Sequence, residues 1–168
     1  MEFESVIKTR TAVRKYKNEQ ISDEQLEKIL NAGNLAPTAK NNQPQVIYVV
    51  QSEEGLKKID SVSPCRYGAP TVLLVCSNKS LAYKKGEYST YEMDACIVAT
   101  HMMLEATNVG VSNIWVEMFD TEKLKEVFSL EENIEPICLL PLGYVSDDYQ
   151  GNPMHNIRKN INDIVKYV

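Results

Sequence analysis

Arg10-Thr11-Ala12-Val13-Arg14-Lys15-Tyr16, followed after one helix by Leu35-Ala36-Pro37-Thr38-Ala39-Lys40-Asn41-Asn42-Gln43-Pro44, is the pair of segments on which this chain turns. The first sets two guanidinium groups and a hydroxyl within five residues. Arginine forks match phosphate oxygens with paired, charge-assisted hydrogen bonds, so this is a phosphate-binding composition. The second is a polar loop held between two prolines, rich in amides and hydroxyls and poor in bulk. Taken alone, a short basic cluster reads as a solvated face, and a proline-bounded Asn loop suits many folds.

Regular structure spaces the two segments. Ser22-Asp23-Glu24-Gln25 has the form of a capping box, with Leu26, Ile29, Leu30 and Gly33 following at helical spacing and Pro37 closing the element. Glu2 to Thr9 reads as a short helix. Val46–Val50 and Pro70–Cys76 are β-branched apolar runs and read as strands. Glu53–Val62 is a charged short helix, and Tyr88–Asn108 a long helix, apolar nearly all round and ended by Gly110 at C′. Asn113–Met118 reads as a third strand, Thr121–Phe128 as a helix, and Glu135–Tyr144 as a fourth strand. Its prolines suggest an edge or a strand end. Asn160–Tyr167 closes the chain as a short helix. The alternation predicts one α/β sandwich domain over residues 1–168.

Composition narrows the partners. The chain has 168 residues, 43% hydrophobic, and a net charge of −5, which disfavours nucleic acid and anionic membrane surfaces. No apolar run reaches the roughly 18 residues of a membrane span. The acidic start, Met1-Glu2-Phe3-Glu4, does not look like a secretory signal. Cys65, Cys76, Cys96 and Cys138 lie far apart without a Cys-x-x-Cys, as expected of reduced thiols in a cytoplasmic protein. They and the two histidines lack zinc-ligand spacing. Asp94 and His101 share a helix face and could form an acid–base pair, although a satisfied helix histidine is the more usual case. No phosphate-binding or nucleophile-elbow glycine motif is present.

The ordering of helix, arginine turn, capped helix and Pro-bracketed Asn loop resembles the nitroreductase family of FMN-dependent oxidoreductases. That family's first segment reads Arg-Arg-Ser-hydrophobic-Arg. Arg10, Val13 and Arg14 match it, while Thr11 and Ala12 depart. The second reads Ala-Pro-Ser-Ala-Gly-Asn-x-Gln-Pro. Ala36, Pro37, Ala39, Asn41, Gln43 and Pro44 match, Thr38 replaces serine, and Lys40 replaces glycine. Tyr67-Gly68-Ala69-Pro70 is similar to the family's strand entry. Gly110–Phe119 resembles the strand after its long helix, with Met118 where glycine is usual. His155–Lys159 resembles its Lys-x-Arg tail, with Arg158 retained and Asn156 in place of lysine.

The resemblance implies a three-layer α-β-α sandwich with a mixed, largely antiparallel sheet, in an intertwined homodimer. It implies FMN as cofactor, held by Arg10, Thr11, Ala12, Arg14, Glu117, Met118 and Arg158, with Pro37, Thr38, Ala39 and Asn41 reaching across from the partner subunit. Trp115 stacks beside the flavin or packs in the core. NADH or NADPH then donates hydride in a ping-pong cycle to nitroaromatic, quinone or related acceptors, and no protein side chain is required as nucleophile. Three other readings stay open: a non-catalytic flavin-binding or sensor module, a relative performing reductive dehalogenation or flavin fragmentation, and an interaction domain with a chance motif.

Overall fold

The computed structural model describes residues 1–168 and builds a four-stranded sheet with helices on both faces. In chain order the elements are α1 (Phe3–Thr9), α2 (Asp23–Asn34), β1 (Gln45–Val50), α3 (Glu53–Val62), β2 (Thr71–Asn78), β3 (Lys84–Lys85), β4 (Tyr88–Ser89), α4 (Tyr91–Asn108), β5 (Ser112–Asn113), α5 (Thr121–Val127), β6 (Ile134–Gly143) and α6 (Ile161–Ile164). The sheet runs β1-β2-β6-β5, every pair antiparallel, and one parallel bridge from Ala12 to Asn113 extends it. β3 and β4 form a separate hairpin.

β2 shows why the chain makes three layers. Side chains alternate across a strand, and here both sets are apolar. Val72, Leu74 and Cys76 enter a core with Ile59 of α3 and Leu124 of α5. Leu73 and Val75 enter a second core with Ile29 of α2 and Val98 and Met102 of α4. All these residues are fully buried. An antiparallel strand that is apolar throughout is stable only when both faces are covered. The α-β-α sandwich expected from the sequence is therefore present.

The capping box is also present. Ser22 Oγ accepts from the Gln25 amide at 3.2 Å, and Gln25 Oε1 accepts from the Ser22 amide at 3.0 Å. Gln25 then ties α2 to the far end of α4, donating to the Val109 carbonyl at 2.9 Å. At Gly33 the helices approach so closely that a Cβ would stand 2.7 Å from Met102 Cγ. Gly110 has φ +79°, the left-handed C′ conformation that stops α4.

Four expectations need correction. β6 is an interior strand and not an edge, despite Pro136 and Pro141. Its pairings 112↔143, 113↔142 and 116↔139 keep one register, which sets Ile114 opposite Pro141. Proline offers no N–H there, so the ladder breaks and the strand expected over 113–118 survives as β5 plus a bridge at Val116. The Pro141 carbonyl takes the Tyr16 hydroxyl instead, at 3.2 Å. The last helix shortens to Ile161–Ile164, with Ile161, Ile164 and Tyr167 exposed, because no core of this chain receives its apolar side. Finally, α4 begins at Tyr91, since residues 84–89 are taken by the hairpin.

All four cysteines are free. Burial, with help from Glu135 and against Lys125, raises the Cys76 thiol from 9.0 to about 12. Burial likewise lifts the Cys138 thiol well above its ordinary value. A folded-state pKa above the unfolded one means the fold accepts only the neutral thiol. That stabilisation is whole below about pH 9 and is lost as pH rises from there toward 12. Unfolding free energy measured in urea should therefore fall across that window, by up to about 1.4 kcal/mol per pH unit for each thiol. A Cys76→Ala, Cys138→Ala double variant should lose that part of the slope. An unchanged slope would assign the pH dependence to other groups.

Candidate functional site

The arginine turn is an extended strip laid beside β5. The Val13 amide donates to the Asn113 carbonyl at 3.1 Å, the Lys17 amide to Tyr144 O at 2.8 Å, and the Ser146 amide to Lys15 O at 3.0 Å. Tyr149 Oη donates to the Ala12 carbonyl at 2.8 Å. Extended backbone alternates its sides, so Val13 is buried and Arg14 is exposed. Thr9, Arg10, Thr11, Thr107 and Asn113 line a cavity of about 280 Å³ at the C-terminal end of α4.

The arginines here lack acids, although Lys15 and Lys17 of the same strip pair with Asp148 and Asp147. Arg66 is held by both oxygens of Asp60, at 2.7 Å each, whereas Arg10, Arg14 and Arg158 form no salt bridge. Burial, and secondarily the charge of Arg158, pushes the Arg10 pKa below its ordinary value. Two guanidiniums brought near one another without a carboxylate form a site that an anion stabilises. The tail is held there by Lys8, whose carbonyl contacts His155 Nε2 at 3.1 Å, while Arg158 Nη1 donates to the carbonyls of His155 and Ile157. Asn156, in the lysine position of the motif, lies in the short 3-10 turn Pro153–Asn156.

A second group lies along residues 63–67. Tyr67 has φ +56°, a strained conformation for a bulky side chain, and its hydroxyl pKa is raised first by its hydrogen bond to Cys65 and next by burial, against the pull of Arg14. Ser63 Oγ donates to the Met118 carbonyl at 2.6 Å, and Cys65 Sγ lies 3.8 Å from Met118 Sδ. Arg14, Tyr67, Cys65 and Met118 thus form one continuous patch. The Met118 side chain is 66% exposed. Glu117 Oε1 accepts from Trp115 Nε1 at 2.7 Å, and Trp115 packs partly into the α4 core.

The loop Pro37–Asn41 lies elsewhere, at the N-terminal end of α4. The Ala39 amide donates to Asp94 Oδ1 at 2.8 Å, and Thr90 Oγ1 donates to Asp94 Oδ2 at 2.7 Å. Thr38 Oγ1 accepts from the Gln43 amide at 3.0 Å. Lys40, Asn41 and Gln43 have φ +53°, +55° and +50°. Lys40 keeps the left-handed backbone that explains the family's glycine there, at the cost of steric strain. Asp94 and His101 do not pair: His101 Nδ1 contacts the Ile97 carbonyl at 2.9 Å. No group of three potential metal ligands exists, and no helix is long and apolar enough to cross a membrane.

Sequence reasoning missed Asp94 as the loop's anchor and Tyr67 as Arg14's neighbour. An acid near the start of a long, otherwise apolar helix was the available signal for the first. Tyr67 carried no signal, because its backbone strain is not encoded by residue type.

The nitroreductase family model matches residues 7–66 and 63–144. The chain belongs to the nitroreductase family. A solved nitroreductase family protein from Clostridium difficile 630 is 35% identical and superposes with a TM-score of 0.92 over 99% of this chain and 98% of its own. A protein of Methanothermobacter thermautotrophicus, provisionally named an NADH dehydrogenase/NAD(P)H nitroreductase, is 31% identical over 88% of this chain and 80% of its own length. A provisionally named nitroreductase from Exiguobacterium sibiricum, solved in complex with FMN, shares the fold at TM-score 0.84 and 22% identity, over 100% of this chain and 98% of its own.

Replacing Asp94 with Ala strips the Ala39 amide and the Thr90 hydroxyl of a shared charged acceptor. Stability should fall by about 2–3 kcal/mol, and hydrogen exchange at the Ala39 amide should accelerate. Unchanged exchange there would mean that other bonds hold the loop.

Proposed function

We propose that this nitroreductase family protein is an FMN-dependent oxidoreductase that takes reducing equivalents from NADH or NADPH and passes them to nitroaromatic, quinone or related acceptors. The observation that carries the reading is the set of three arginines, Arg10, Arg14 and Arg158, left without carboxylates in a chain of net charge −5. Such a set fits an anionic cofactor of FMN's kind. When bound, FMN supplies a hydride acceptor at N5 and, in a ping-pong cycle, the electrons for the second substrate.

In this reading Arg10 and Arg158 hold the phosphate, with Thr11 and the Ala12 backbone beside them. Arg14, next to Tyr67, supplies positive charge at the pyrimidine edge, where it stabilises the reduced anionic form. Glu117 and Met118 border the ring. With Ala12 in place of serine, the Thr11 hydroxyl is the one left to serve the phosphate.

A homodimer belongs to the same proposal, and α4 supports it. The arginine cavity includes Thr107, whereas the loop is fixed to Asp94, and helical rise separates those residues by about 20 Å. One chain keeps the two halves apart. Packing two α4 helices antiparallel about a twofold axis brings the Pro37, Thr38, Ala39 and Asn41 loop of each to the arginines of the other. The exposed apolar residues Leu35, Met93, Ile157 and Ile161 are surface such an interface covers. With every cysteine reduced, a cytoplasmic location suits the chain.

Purified protein should be yellow and dimeric by light scattering, and its flavin band should bleach when NADH or NADPH is added anaerobically. Arg14→Ala should weaken FMN by about 1.5–3 kcal/mol, roughly ten- to hundredfold. A flavin band that persists with both nucleotides would replace the reductase by a flavin-binding module, and a colourless protein that takes up no FMN would sink the proposal.

A further inference from the structure

Unpaired cations gather in one other place. Lys40, Lys84 and Lys85 make no salt bridge, and neither do Lys123, Lys159 and Lys166, whereas Lys8, Lys15, Lys17, Lys28, Lys57, Lys58, Lys79 and Lys125 all do. Of the six, Lys40, Lys84 and Lys85 lie closest together in the fold, beside the loop. In the β3–β4 hairpin Lys85 pairs with Tyr88 and Lys84 with Ser89, and the Thr90 amide donates to the Tyr83 carbonyl at 3.0 Å, which extends the register by one pair. Period-two alternation then puts Tyr83, Lys85 and Tyr88 on one face and Lys84 on the other. Lys40 Nζ sits 4.6 Å from the centre of the Tyr83 ring, so it joins the first face. Two ammonium groups are thus interleaved with two phenol rings. Tyr88 is 51% exposed. The nearest acid in sequence, Glu87, occupies the turn and forms no salt bridge with them.

The hairpin's place relative to the loop is fixed. Its base residue Thr90 and the loop residue Ala39 bind the same Asp94 carboxylate, and Asn42 Nδ2 donates to the Leu81 carbonyl at 2.9 Å. In the dimer proposed above the loop borders the partner's flavin, and this face lies beside the loop.

We propose that the face formed by Lys40, Tyr83, Lys85 and Tyr88 reads the adenosine 2′-phosphate half of NADPH. A phenol ring stacks on any purine, and an ammonium group is a compact partner for a phosphate that carries close to two charges. The adenine is common to NADH and NADPH, and the phosphate is not, so the lysines select NADPH. The inference rests on the reductase reading above.

The test uses the FMN-loaded dimer and its Lys85→Glu variant. Wild type should favour NADPH, and the variant's ratio of kcat/KM for NADPH over NADH should drop by at least about tenfold, the loss of one charge-assisted contact. In calorimetry, 2′,5′-ADP should bind wild type more tightly than 5′-AMP, a difference Lys85→Glu should erase. Tyr88→Ala should weaken both nucleotides, and reduced nicotinamide mononucleotide, which has no adenosine, should not distinguish the proteins. An unchanged nucleotide ratio together with equal binding of 2′,5′-ADP and 5′-AMP would overturn the proposal while leaving the reductase intact. Lys85-dependent binding of 2′,5′-ADP to a protein whose flavin no nucleotide reduces would overturn the reductase reading alone.

Discussion

A single buried carboxylate organises the polar loop and the hairpin of this molecule. Asp94 is 2% exposed, and its two oxygens take the amide of Ala39 and the hydroxyl of Thr90. The loop has three consecutive reasons to wander: left-handed residues at 40, 41 and 43, exposed side chains, and no regular structure beyond one 3-10 turn. A charged acceptor in a low-dielectric surround makes a stronger bond than a neutral one. Asp94 therefore converts a strained polar loop into part of the helix that carries it. The hairpin shares the anchor, so loop and hairpin keep a fixed relation to α4.

The opposite end of α4 is built by different means. Gln25 links the caps of two elements, bonding its own N-cap, the Val109 carbonyl and the Tyr144 hydroxyl at 2.8 Å. Asn113 donates to Met103 O and Thr107 Oγ1, at 3.1 Å each, and its backbone carries Val13. The arginine turn consequently rests on the sheet edge with Arg10 half-buried. Polar groups satisfied by neighbours hold the backbone, and the cations are left over. In an acidic protein cations without acids are informative, because eight of the lysines here find a carboxylate, Lys28 and Lys57 one helical turn away.

Much of this was legible in the sequence where local chemistry decides it. Ser22 and Gln25 specify a cap, Gly110 a stop, and Val72–Cys76 a strand buried on both sides, each through a rule that needs only neighbouring residues. β6 was not legible as an interior strand, because whether a proline interrupts a ladder depends on which neighbour its missing N–H would have faced. At Pro141 that neighbour is the strip around Ile114, where Tyr16 supplies a donor from far along the chain. The arginines were legible as candidates, but their lack of acid partners is a tertiary fact. So is the hairpin's two-faced pattern, which from sequence alone looks like scattered lysines and tyrosines inside a long helix's approach.

The length of α4 is the constraint that links these observations to the proposed chemistry. The loop is bound near its first turn and the arginines gather near its last, so lengthening or shortening the helix would change how far apart the two sets lie. In an antiparallel pairing of two such helices that distance cancels: the separation within one chain becomes the overlap between two. The half-exposed side of α4, with Met93, Cys96, Ile97, His101 and Leu104, presents the surface such a pairing needs, while its other side fills the core with Ala95, Val98, Ala99 and Met102. A helix apolar nearly all round is wasteful in a monomer, where one side would meet water. In the proposed dimer both sides are used, the inner one to hold the sheet and the outer one to bring two incomplete sites together.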